Sequence, residues 1–397
     1  MSKSKRNLFL AGLLVLLLAF PAGAMAIELG PLDVGGAIRA NYVIGDYAVP
    51  EYDDGYSTSR PSRAEEDGGN FELDTFRINL DYEQDQWVGK AEYRFYNGYH
   101  FLHTGWMGYN FDEKSQLQVG VNRVPFGPGP YGVSQSWMFD QHYYVGLSDD
   151  MDLGAKYTTS FGDLKMDFGY YLMDEGSYFG KTENAARYSY DAVEDEEGDG
   201  YKEEHQFNIR AIYPVQMGDI KTDLGASLQY GQLGASGGDR DDGDHFAGSI
   251  HAVNKFSNWT LAAQLTYYDY DVENADGSSA DLVNFGAYDY YTGVAAEAWV
   301  PAVSLSYYLE TPQIDFLDYV IPYVEYSSIM KEESDFNDSE MWIFGAAWAR
   351  GGWYIYTDLA YSNGNDFVGD ESDWSRFGEN LDDEWEYRFN INFGYYF

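Results

Sequence analysis

The chain is patterned with a period of two over most of its length. The clearest stretch is Trp385 to Phe397, where Trp385, Tyr387, Phe389, Ile391, Phe393, Tyr395 and Phe397 alternate with Glu386, Arg388, Asn390, Asn392, Gly394 and Tyr396. Alternate residues of a strand point to opposite faces, so this stretch predicts a long strand with one apolar and one mostly polar face. Fifteen further stretches share the pattern: Leu32–Ile44, Phe71–Tyr82, Trp87–Tyr96, Phe101–Phe111, Leu117–Val124, Asp152–Thr159, Leu164–Met173, His205–Val215, Lys221–Gly231, His245–Phe256, Trp259–Tyr270, Val300–Leu309, Tyr319–Ser328, Glu340–Ala349 and Trp353–Tyr361. The twelfth is the least sharply bounded, because residues 288–301 read ambiguously.

The connections alternate in length. Short turns such as Glu83–Gln86, Ser257–Asn258 and Arg350–Gly352 are separated by long loops such as Gly45–Asn70, Pro125–Met151, Asp174–Glu204 and Ser362–Glu384, with the tight Asn97–His100 as the exception. A soluble β-sandwich has no reason to segregate loop lengths. A barrel crossing a membrane does. The expectation is an all-β fold: a 16-stranded antiparallel transmembrane β-barrel, with both termini on the short-turn side. There is no composition break, so one domain is expected over residues 27–397. Residues 1–26 carry Lys3, Lys5 and Arg6, an apolar run from Leu8 to Phe20 and a small-x-small site at Ala24–Ala26, which reads as a cleavable export signal.

Composition narrows the partners. The chain has 24 basic and 66 acidic residues; removing the leader takes away three basic ones, leaving 21 and a net charge of −45. That argues against nucleic acid as a partner, since binding it rests on neutralising phosphates. Cysteine is absent, which removes disulfides and thiolate chemistry. The 38 Tyr, 24 Phe and 10 Trp suit interfaces that are apolar on one side and wet on the other. Acidic runs at residues 194–199 and 239–244 read as solvated loops. A sharper reading has them bind divalent cations that bridge to lipopolysaccharide, but neither has the spacing of a calcium loop, so no metal site and no cofactor is assigned.

Alternation also assigns faces. Charge on the lipid side costs several kcal/mol at mid-membrane, so charged residues within strands face the lumen. The expected pore-lining bases are Arg39, Arg77, Lys90, Arg94, Lys156, Lys165, Arg210 and Arg388. The expected pore-lining acids are Asp81, Glu92, Asp167 and Glu386, joined by Asp223, Glu325 and Asp358. Barrel closure would place Arg388, Arg39, Arg77, Lys90 and Arg94 on four adjacent strands as a basic wall. The third long loop is the candidate to face it. Its start, Pro125-Phe126-Gly127-Pro128-Gly129-Pro130, is stiff and sharply turned. It continues through Trp137, Phe139, Tyr143 and Tyr144, too apolar for water, and carries Asp140, Asp149 and Asp150. We expect it to fold inward as a constriction loop and to set a transverse field against the basic wall.

The run Gln118 to Gly127 holds a G-x-x-x-x-P-F-G segment, Gly120 to Gly127, preceded by F-R-I-N-L-D-Y from Phe76 and K-A-E-Y-R-F-Y from Lys90. This resembles the phosphate-selective porin-like proteins of Gram-negative outer membranes, with the motif match confined to residues 71–157. The resemblance implies an outer-membrane homotrimer in contact with lipid and lipopolysaccharide. It also implies a water-filled channel for passive diffusion of ions and small hydrophilic solutes. Bases are few here and acids surround them, so phosphate or sugar selectivity stays an alternative. An enzyme would need a positioned nucleophile or a His–Asp pair; His142 near Asp140 is the residue to examine. An adhesin using the acidic loops is the third reading.

Overall fold

The computed structural model describes residues 27–45, 69–369, 376–381 and 383–397; the leader expected at residues 1–26 lies outside them. Sixteen antiparallel strands close into one barrel. They are β1 (Leu32–Gly45), β2 (Asn70–Gln84), β3 (Trp87–Phe95), β4 (His100–Asn110), β5 (Gln116–Arg123), β6 (Met151–Phe161), β7 (Leu164–Asp174) and β8 (Gly200–Met217). The second half is β9 (Ile220–Ser236), β10 (Gly243–Phe256), β11 (Trp259–Asp271), β12 (Glu297–Tyr307), β13 (Tyr319–Lys331), β14 (Ser339–Arg350), β15 (Trp353–Asn363) and β16 (Glu386–Tyr396). Each strand pairs with its sequence neighbour, and β16 closes on β1 with Asn41 opposite Asn392. Beyond the last paired strand residue, Phe397 exchanges two backbone hydrogen bonds with Gly36, at 2.8 and 3.0 Å.

The outer face follows from the period-two pattern. Ile78, Leu228, Ile250, Leu265 and Phe344 are exposed along the middle of the wall. Aromatic pairs flank this band. Trp87–Tyr109, Trp259–Tyr307 and Trp353–Tyr395 lie toward the short turns, with ring centroids 4.7–5.1 Å apart. Tyr267–Trp299, Tyr326–Trp342 and Tyr361–Trp385 lie toward the long loops, at 4.8–5.1 Å. An apolar band between two aromatic girdles is the lipid face of an outer-membrane barrel.

Several strands run past the periodic segment. β8 and β9 continue outward to Gly200 opposite Ser236, across an irregularity between Glu204 and Phe207. The ambiguous stretch before β12 is a separate hairpin, Leu282–Ala287 with Tyr290–Ala295, which pairs in turn with Asp191–Ala192 of the loop after β7. Its two turn residues, Tyr288 and Asp289, have φ of 48° and 63°, as a tight two-residue hairpin requires. Loops four and six are thereby joined in one small sheet at the long-loop end.

Candidate functional site: an arginine-walled aperture

The third long loop, residues 124–150, enters the barrel. Its Pro-Gly-rich start is held by Gly127, whose N–H donates to Ser227 Oγ at 3.1 Å and whose carbonyl accepts from Arg210 at 3.4 Å. Gly127 has φ 63°, and a Cβ there would stand 2.9 Å from the Gln264 amide, so both conformation and space call for glycine. The loop then crosses to the wall made by β9–β15. Ser134 Oγ and the Gln135 N–H donate to Glu325, at 2.6 and 2.5 Å. The Trp137 N–H donates to Asp358 at 3.0 Å, and the Gln141 N–H to Ser327 at 3.1 Å. A single helical turn, α1 (Gln141–Tyr144), ends the crossing; Asp140 caps it by accepting the His142 N–H at 3.0 Å.

The anchors on β9, β11, β13 and β15 leave a gap against the opposite wall. There a cavity of about 360 Å3 lies between the loop and β1–β3 with β16. Arg39, Arg77, Arg94 and Arg388 form its wall, one from each of these four strands. Loop residues Tyr131, Ser134, Trp137 and Phe139 form the other side, and Tyr96, Tyr99, Tyr354, Tyr356 and Tyr396 complete the rim. Asp74 is the one acid in this lining among the described residues. It sits 2.9 Å from Arg39. Glu92 lies behind, 2.6 Å from Arg94 and 3.3 Å from Arg77. The Arg388 guanidinium lies 5.4 Å from the Trp137 ring centre, so loop and wall meet at one cation–π contact.

The other sequence-assigned residues fall elsewhere. Lys90 faces inward but pairs with Asp81 at 3.5 Å, outside the cavity. Four residues separate it from Arg94, about 13 Å along a strand, which carries it toward the short-turn end. Lys165 is exposed at that same end. Lys156 donates to the Arg123 carbonyl at 2.6 Å and Arg210 pairs with Asp167 at 2.8 Å, so these two bases brace the loop's roots. Glu386 pairs with Arg376 at 2.8 Å, away from the aperture. Pro125 and Phe126 are packed in the loop's root, Phe126 within the buried apolar cluster.

The loop acids do not face the arginines, which corrects the expected acidic side of a transverse field. Asp140 accepts from the Val133 N–H at 2.8 Å and from His142, and is buried. Asp149 is taken by Arg123 at 2.6 Å and by the Tyr188 hydroxyl at 2.6 Å. Burial, with Asp149 beside it, pushes the Tyr188 hydroxyl well up. Asp150 points into a buried acidic cluster at the loop's end. Asp140 thus satisfies turns of its own loop, while Asp149 and Asp150 are engaged at the loop's root. His142 is fully buried, with Nδ1 2.9 Å from Asp140 and Nε2 2.8 Å from Thr266. It pins the loop to β11 and presents no open face to the cavity.

No family model matches the chain, and no curated protein matches it. Solved structures do. The outer membrane channel DcaP of Acinetobacter baumannii superimposes with a TM-score of 0.58 at 10% identity, covering 94% of this chain and 100% of that one. OmpT of Vibrio cholerae in its trimer form gives 0.56 at 14%, covering 93% and 100%. OmpF of Salmonella typhi gives 0.56 at 13%, covering 94% and 100%. At these identities the likeness is one of fold: a porin-like barrel.

Proposed function

We propose that the chain, secreted by its first 26 residues and assembled as a homotrimer in contact with lipid and lipopolysaccharide, is an outer-membrane porin. Ions and small hydrophilic solutes diffuse through it passively, and its narrowest point favours anions. One observation carries the anion preference: four guanidinium groups line one wall of the aperture, with Asp74 in the lining and Glu92 behind it. Selectivity is set by the charges at the narrowest ring, not by the net charge of the chain. The strongly acidic exterior therefore does not dictate the sign. DcaP is described as an outer membrane channel and OmpT as an outer membrane protein in trimer form, which supports the channel and trimer readings by likeness of fold.

A solute-selective channel is the second reading. The tyrosines around the arginines favour it, since hydroxyl donors beside guanidinium groups suit phosphate, another anion or a sugar. The G-x-x-x-x-P-F-G segment supports kinship with phosphate-selective relatives only at the root of the loop.

Planar-bilayer recording of the refolded protein in a KCl gradient tests the proposal. Discrete conductance steps with an anion-selective reversal potential are expected. A cation-selective reversal potential would overturn the role of the aperture. Silence from a folded barrel would overturn the channel itself.

A further inference from the structure

A second cluster lies where the end of loop three meets the base of loop four. Asp150 ends the loop, Asp152 is the second residue of β6, and Asp191 belongs to loop four. Oxygens of all three carboxylates converge within 4.8 Å of one another, and no residue of the three is more than 5% exposed. Asp174, Glu175 and Glu203 are buried around them. Arg187 is the one base bonded into the group among the described residues, 2.9 Å from Asp174 and 2.7 Å from Asp191. Six carboxylates thus share one guanidinium in a dry interior.

The donors run out before the acceptors do. Glu175 Oε1 accepts the Tyr188 and Ser189 N–H groups, Glu203 Oε1 accepts that of Ala192, and Asp152 Oδ2 accepts the Gln206 amide at 3.0 Å. Asp150 Oδ1, Asp152 Oδ1 and Gln206 Oε1 are buried with no hydrogen-bond partner. Gln206 is 2% exposed, and its head group already touches Asp152. Half a turn of that amide brings its orphaned oxygen to the same place, and amide orientation is not fixed by shape alone. Buried acceptors are ordinarily satisfied, so three orphaned oxygens in one cluster point to a partner that the chain itself does not supply.

We propose that this cluster binds a divalent cation of calcium's size, which ties the root of the constriction loop to loop four. Every available ligand atom is oxygen, which selects a hard cation. Calcium holds oxygens at about 2.3–2.6 Å and so bridges oxygens up to ~5 Å apart, whereas magnesium, at about 2.0–2.1 Å, demands a tighter set. This inference is independent of what passes the aperture. It also differs from binding by the exposed acidic runs at 194–199 and 239–244.

The test uses the refolded full barrel in detergent, with folding confirmed by heat-modifiable gel migration. After treatment with EGTA, titration calorimetry with CaCl2 should show one tight site per chain, and calcium should raise the temperature at which the gel shift is lost. Asp152→Asn should weaken calcium binding at least about tenfold, since loss of even an outer-shell partner costs that much. Asp241→Asn with Asp242→Asn should leave the tight site intact. Should the Asp152 variant fail to fold, Gln206→Ala replaces it, with weaker binding again expected. The proposal is overturned by a flat titration of the folded wild type. Equally, it fails if the folded cluster variant retains full affinity, or if binding is lost only with the surface variant.

Discussion

Glu325 is the residue on which the position of the constriction loop most directly depends. It stands on β13, is 4% exposed, and accepts three hydrogen bonds: from Ser134 Oγ at 2.6 Å, the Gln135 N–H at 2.5 Å and Ser304 Oγ at 2.9 Å. Two of these come from the loop tip. Glu325→Ala removes the acceptor and leaves three donors with less to bond. A buried donor left unsatisfied costs about 1–3 kcal/mol. Only the two loop donors bear on docking, so even at the low end the cost is about 2 kcal/mol against the docked tip. At 1.4 kcal/mol per tenfold, the ratio of docked to undocked tip falls by roughly thirtyfold. The remaining anchors at Asp358, Ser327 and Thr266 hold the rest of the loop, so the barrel itself should still fold. The expected result in single-channel recording is higher open-state noise and a larger mean conductance, with gel migration unchanged. Glu325→Gln, which keeps an oxygen and the size, should lie between. A folded Glu325→Ala channel with wild-type conductance and wild-type noise would refute the argument that this carboxylate sets the loop's position.

Two further outcomes separate the wall from the loop. Arg77→Gln with Arg388→Gln removes two of the four cationic groups at the aperture, and the ratio of anion to cation permeability should fall severalfold in reversal-potential measurements; an unchanged ratio would remove these side chains from the narrowest point. Replacing residues 128–139 by a short Gly-Ser linker keeps Asp140, His142 and α1 but removes the tip, so single-channel conductance should rise while the reversal potential moves toward zero.

The barrel was legible because each of its strands separates two solvents. A residue such as Ile78 meets lipid while Arg77 meets the interior, and a period of two over ten residues leaves little freedom of interpretation. The basic wall was legible for the same reason, except that parity gives the face and not the height: Lys90 and Arg94 share a face yet only Arg94 reaches the cavity. The tyrosines could have been found by extending the same parity, since Tyr354 and Tyr356 are in step with Asp358. What the sequence did not reveal are partners set by the closed fold. Ser134 meets Glu325 across 191 positions, and Asp149 meets Tyr188 across 39. No local pattern states that a loop carboxylate will cap its own helix turn, as Asp140 does, or enter a buried cluster, as Asp150 does. The sheet shared by loops four and six was hidden because its strands pair through residues almost a hundred positions apart, such as Ala192 and Phe285.

The seam between β1 and β16 also has a meaning for how the chain is made. Asn41 and Asn392 bond at 2.8 Å across 351 positions, so β16 has its partner in β1, at the opposite end of the sixteen strands described. Until it arrives, two strands keep rows of unpaired backbone groups, which neither lipid nor water-excluded protein tolerates and which invite pairing with other chains. Such a distant contact is also slow to form. Closure therefore works as a completeness check: a chain cut short anywhere before β16 is left with two raw edges, and is marked for aggregation or proteolysis by its own hydrogen-bonding deficit.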